Sequence, residues 1–127
     1  MQDTPTPAEI IASTARMIRE RLLPHLPPRE QFEARVAANA LEIALRDITI
    51  GQGAEVQELQ RLRTILNQDG DLETLNRALA EAIRNGTCDP AAPSIAAHLW
   101  QTTLEKLAVD QPNYAAYRRA ITTGDTK

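Results

Sequence analysis

The chain has 127 residues, a net charge of −3 and 43% apolar residues, the size of one domain, and it can bury roughly 60% or more of its unfolded surface without metals or staples. The acidic balance argues against a nucleic-acid binder, which carries a basic footprint. One phenylalanine, one tryptophan and two tyrosines argue against a β-sandwich, which draws on aromatic and β-branched residues, whereas the abundant alanine suits closely packed helices.

The first residues contain no basic run followed by an apolar one, so they do not read as a signal peptide. Residues 1–5 are polar and expected to be disordered. Thr6-Pro7-Ala8-Glu9 is a helix start: Thr6 caps, Pro7 suits the first helical position and Glu9 completes a capping box. Ile11, Ala15, Ile18 and Leu22 then recur at helical spacing until Pro24, which pushes the residue before it out of the α region. The prolines of Pro24-His25-Leu26-Pro27-Pro28 form a stiff connector.

The central helix runs from about Pro28 to Ile50. On a wheel of about 100° per residue, Phe32, Val36, Ala40, Ile43 and Ile50 fall on one side and Ala34, Ala38, Leu41, Leu45 and Ile48 on the other. The apolar arc spans roughly two thirds of the circumference, wider than the stripe of an ordinary surface helix, so this helix is expected to be surrounded by others. Its polar wedge is Arg35, Asn39, Glu42, Arg46 and Thr49. Gly51-Gln52-Gly53 is expected to end it through a left-handed cap.

A third helix covers about Ala54 to Leu66, with Val56, Leu59, Leu62 and Leu66 inward. Asn67-Gln68-Asp69-Gly70 is turn chemistry, and Asp71 caps a fourth helix striped by Leu72, Leu75, Leu79, Ala82 and Ile83. Asn85-Gly86 closes it. Asp89-Pro90 starts a fifth helix carrying Ala96, Leu99, Trp100, Leu104 and Leu107. Gln111-Pro112 opens a short final segment with Tyr114, Tyr117 and Ile121, and 122–127 is expected to be a disordered tail. The expected fold is all-α, a single compact bundle of five helices with a possible short sixth, occupying 6–121.

Sites of chemistry are sparse. His25 and His98 are far apart, and neither has a second ligand three or four residues away as a helical metal face needs; His98 reads as a surface or half-buried residue. Cys88, the lone cysteine, excludes an internal disulfide, fits a reducing cytoplasm and reads as an incidental thiol. There is no phosphate-cradling glycine motif, and no stretch is long and apolar enough to span a membrane. Neither cofactor nor metal is expected. The arginine pairs Arg61/Arg63 and Arg118/Arg119 are balanced by Glu55, Glu58, Glu73 and Glu81, the pattern of solvated faces. The most informative polar set is Arg35, Asn39, Glu42 and Arg46, at spacings of four, three and four. It reads equally as a solvent stripe of weak pairs or as an interface strip, with Asn39 the likelier functional member because asparagine is a poor choice mid-helix. Tyr114 and Tyr117 are further candidates for contact with a partner.

Arg35-Val36-Ala37-Ala38-Asn39-Ala40-Leu41, Asp71-Leu72 with Leu75-Asn76, and Lys106-Leu107-Ala108-Val109 followed by Gln111-Pro112-Asn113-Tyr114 resemble a family of small bacterial helical proteins whose domain has no defined function. The resemblance runs from about Thr4 to Tyr117. Members of that family are commonly encoded beside an aminoglycoside-phosphotransferase-like kinase and an acyl-CoA-dehydrogenase-like protein, and in role resemble the accessory protein of the levulinic-acid pathway, which works with a kinase of 4-hydroxyacyl-CoA. The resemblance implies a noncatalytic, cytoplasmic subunit that such a kinase requires, with Arg35, Asn39, Glu42, Arg46, Tyr114 and Tyr117 as candidate partner-binding residues. Two alternatives stand beside it: an acyl-CoA-binding bundle with Arg35, Arg46 and Lys106 as a basic rim, and a self-assembling homo-oligomer.

Overall fold

In a computed structural model of the protein, residues 4–123 are described, and every regular element among them is helical. The α-helices are α1 (Pro7–Met17), α2 (Pro28–Arg46), α3 (Gln52–Leu66), α4 (Leu72–Arg84), α5 (Pro93–Asp110) and α6 (Ala115–Thr123), so the short sixth helix is present. It continues through Thr122 and Thr123, two positions expected to belong to the tail. The expectations for 1–3 and 124–127 lie outside the described residues. Contacts gather the helices into two compact units, one ending at Ile50 and the other beginning at Gly51.

In the first unit α1 packs along α2. The start of α1 is the expected capping box: the Glu9 N–H donates to Thr6 Oγ1 and the Thr6 N–H to Glu9 Oε2, each at 3.2 Å. Past Met17 the helix widens into a π turn over Ile18–Leu22 and tightens into a 3-10 turn over Leu23–His25, where Pro24 has no N–H to continue the α ladder. Pro28 then opens α2 at its first position, where a missing N–H costs little.

The seam of this unit is narrow. Ala15 and Ala38 are its buried residues, with Ile11, Ile18, Ala34, Leu41 and Leu45 half-buried. The expectation that α2 is enclosed therefore fails for half of its apolar arc. Phe32 is 66% exposed, Val36 51%, and Ile43 and Ile50 are exposed as well. The physical reason is that a wheel shows how wide an apolar surface is, not how many neighbours it meets; α1 covers only the side around Ala38.

Nor does Gly51 end α2 in a left-handed cap. Asp47–Gly51 forms a π turn, and Gly51, the residue before α3, is right-handed at φ −65°, ψ −40°. Glycine permits the left-handed region without requiring it.

In the second unit α3 packs against both α4 and α5, and α6 packs on α5. The core is Leu62 and Leu75, both fully buried, with Leu79 and Ile95. Leu59, Ile65, Leu66, Leu72, Ile83 and Cys88 surround it. Asn67 closes α3 in the left-handed region at φ 47°, a conformation asparagine tolerates better than most residues. Asp71 caps α4 by accepting the Thr74 N–H at 2.7 Å, and this hydrogen bond lowers the Asp71 pKa.

Three expectations are corrected here. Val56 is exposed, and Glu58 takes a buried place on α3 instead. The fifth helix begins at Pro93, not Pro90, because the Asp89 carboxylate accepts the Ala91 N–H at 2.9 Å and the Asp89 carbonyl accepts the Ala92 N–H, closing a turn ahead of the helix. Finally, the first half of α5 departs from its expected face: Ala96, Leu99 and Trp100 are exposed while Ile95 and His98 are buried, whereas Leu104 and Leu107 are half-buried and Val109 is buried.

Candidate functional site

The polar wedge of α2 is organised by a residue outside it. Arg19, in the π turn after α1, donates from Nε to Glu42 Oε1 at 2.7 Å and from Nη2 to Glu42 Oε2 at 3.0 Å. The same Nη2 reaches Asn39 Oδ1 at 2.5 Å. This two-pronged hold matches the planar guanidinium to the planar carboxylate. It lowers the Glu42 pKa, with the charges of Arg19 and Arg46 adding to the hydrogen bonds, and raises that of Arg19. Both side chains are more than a third accessible on average, at 37% and 34%, so screening by solvent limits the pair to about 1 kcal/mol or less.

The candidate strip thus divides. Asn39 and Glu42 are used within the unit, tying α1 to α2. Arg46 is half-buried near Glu42. Arg35 is exposed. In the second unit, Tyr114 is exposed just before α6 and Tyr117 is half-buried within it; Lys106 is exposed on α5.

A second polar constellation, which periodicity did not reveal, joins α3 to α5. Arg61 donates from Nε to His98 Nδ1 at 3.2 Å, from Nη1 and Nη2 to the two oxygens of Glu105 at 3.1 and 2.9 Å, and from Nη2 to Thr102 Oγ1 at 3.3 Å. Gln101 Nε2 also donates to Glu105 Oε1 at 3.2 Å. On α3 itself, the buried Glu58 accepts a hydrogen bond from Asn76 of α4 at 3.0 Å. The ion pair is well shielded, with 25% of the Arg61 side chain and 14% of the Glu105 side chain accessible.

The inward face of α5 therefore reads Ile95, His98, Thr102, Glu105, Val109. That is helical spacing, but three of the five are polar, so a search for apolar repeats passes over it. The available signal was the matching run of hydrogen-bonding side chains at one period.

His98, expected at or near the surface, is only 3% exposed. Because its Nδ1 accepts from Arg61, the proton of the neutral ring lies on Nε2. Burial lowers its pKa, the adjacent Arg61 charge lowers it further, and Glu58 and Glu105 oppose them. The folded ring thus holds its proton less tightly than the unfolded one. Its contribution to stability is complete above about 6.5 and declines as pH falls through that value toward the depressed folded pKa. Calorimetric melting points of the native protein should drop between pH 7.5 and 5.5, and a His98→Gln variant, which keeps an acceptor for Arg61 but cannot be protonated there, should show a flatter limb. Equal slopes in the two proteins would remove His98 as the cause.

Beside this network α3 and α5 leave an open depression of about 510 Å³. Arg61 and His98 border it, with Gln60, Thr64 and Ile65 on the α3 side and Ser94, Ala97 and Gln101 on the α5 side. Among the described residues no group of three or more His, Cys, Asp or Glu side chains is arranged to hold a metal ion, and no helix is long and apolar enough to cross a membrane.

The described residues form an all-helical fold in which three polar sets, centred on Arg19, Arg61 and Glu58, join one helical element to another. Residues 24–114 match the family described as a domain of unknown function (DUF6285), and the chain belongs to that family. No curated protein and no solved structure matches it. The Arg61–His98–Glu105 network lies wholly inside the matched segment, whereas α6 and Arg19 lie outside it.

Proposed function

We propose that this protein is a noncatalytic, cytoplasmic accessory subunit of an aminoglycoside-phosphotransferase-like kinase that phosphorylates hydroxyacyl-CoA, with an acyl-CoA-dehydrogenase-like protein as a second candidate partner. The identity of the kinase comes from the sequence resemblance. The observation that carries an interaction role is the uncovered side of α2, where Phe32, Val36 and Ile43 recur at helical spacing and all are exposed, with Ile50 exposed in the π turn that follows. Exposed apolar surface of this kind marks sites of association, and an exposed aromatic residue such as Phe32 is a typical binding anchor. Arg35, also exposed on this helix, adds a charged rim.

The test is co-expression with the kinase. The two proteins should co-purify, and the kinase should phosphorylate hydroxyacyl-CoA at least tenfold faster in the complex. A Phe32→Asp/Val36→Glu variant should lose both effects while keeping its circular dichroism spectrum, because neither side chain is in the core. A kinase fully active alone, or one that co-purifies equally with the variant, would remove this reading.

A further inference from the structure

His98 presents an unusual donor. The hydrogen bond from Arg61 to Nδ1 is the one made by its ring among the described residues, which leaves Nε2–H without a partner. No fully buried side-chain nitrogen or oxygen among them lacks a partner, so Nε2 belongs to the 3% of the residue that remains accessible. His98 is itself one of the residues that line the depression between α3 and α5. An N–H held in place by its neighbours and so narrowly exposed is a fixed donor for an acceptor that reaches it.

We propose that this depression is a binding site for a small uncharged amide, whose carbonyl oxygen accepts the His98 Nε2–H. The volume, about 510 Å³, lies within the range of small-molecule sites. The charge of the surroundings selects against ions. Glu58 and Glu105 both bear on the His98 ring, and the one cation beside it, Arg61, is already engaged by Glu105, so a carboxylate ligand meets uncompensated negative charge. An ammonium meets an N–H donor with no acceptor to offer. An amide supplies the missing acceptor, and its own N–H has two acceptors nearby: the Ser94 hydroxyl, unpaired among the described residues, and the Gln101 carbonyl oxygen, whose amide nitrogen is turned to Glu105. Its alkyl end lies against Ile65 and Ala97. This site lies on the second unit and does not depend on the kinase reading, which concerns α2.

The probe is butyramide, titrated into the isotope-labelled full chain and followed by nuclear magnetic resonance, with butyrate and butylamine as charged analogues of similar size. Saturable shifts are expected at the His98 ring and at the amides of Ser94, Ala97 and Gln101, with the charged analogues binding at least fivefold more weakly. Ala97→Leu fills the depression from an exposed helical position without touching the Arg61 hydrogen bonds, and it should abolish the shifts; His98→Phe, if it folds, should do the same by removing the donor. Absence of saturation with butyramide, equal response to all three probes, or undiminished binding by Ala97→Leu would each overturn the proposal.

Discussion

Replacing Leu75 by alanine should lower the unfolding free energy by about 3–4 kcal/mol, near the middle of the range for buried leucines. Leu75 is fully buried at the centre of the cluster formed with Leu62, Leu79 and Ile95. Its side chain also fills the space over Gly70, where an added Cβ would stand 3.3 Å from Leu75 Cδ2. Truncation removes three carbons that packing has surrounded on all sides, and the backbone of two helices and a tight turn cannot collapse into the gap. Denaturant titration should give a lower midpoint with an unchanged slope. A loss under 1 kcal/mol would mean that the site relaxes freely and that the centre of the core lies elsewhere. Val56→Ala is the contrast: that side chain is 58% exposed, and its loss should be within about 0.5 kcal/mol.

Arg61→Met should cost about 2–4 kcal/mol, somewhat below the usual figure for breaking a buried pair because a quarter of the Arg61 side chain is still accessible. Most of the cost is not the lost attraction. It is the Glu105 carboxylate left shielded from water with only Gln101 to donate to it. The double variant Arg61→Met/Glu105→Met should therefore regain most of the stability, since an apolar pair of similar volume has no ion to desolvate. A double-mutant cycle by chemical denaturation reads this directly, and additive losses would refute it. Arg61→Lys should rescue poorly, because an ammonium cannot span His98, Thr102 and both Glu105 oxygens at once. In Arg61→Met the His98 pKa should also rise, since one of the two influences holding it down is gone.

Much of the local structure was legible because its cause is local. Thr6, Pro7 and Glu9 announce α1 within one turn of chain. Asp71 announces α4, and the stripe from Leu72 to Ile83 marks its buried face correctly because its leucines pack into the core with Leu62 and Ile95. The start of α5 and the cap at Gly51 were misread locally, but the misreadings that bear on the polar sites concern partners distant in sequence. The enclosure of α2 depends on what packs against it, which composition does not state. The face of α5 was partly misassigned because it turns the buried His98 and the half-buried Thr102 and Glu105 inward, which is tolerable only when Arg61, some forty residues earlier, supplies the hydrogen bonds. Arg19 was missed for the same reason: nothing near it in the chain indicates that Glu42 and Asn39 are waiting. For the candidate strip the sequence left a solvent stripe and an interface strip side by side, and Arg19, which holds Asn39 and Glu42, lies outside the helix that carries them.

The fork at Arg61 also bears on how α3 and α5 are aligned. Apolar contact is non-directional, and two greasy helices could exchange one ridge for the next at little penalty. Sliding α5 by a single turn, about 5.4 Å, would carry His98, Thr102 and Glu105 out of reach of the guanidinium together and strand a carboxylate in the seam. The cross-link therefore dictates which turn of α5 sits opposite which turn of α3, a form of bookmarking that leucines alone would leave ambiguous.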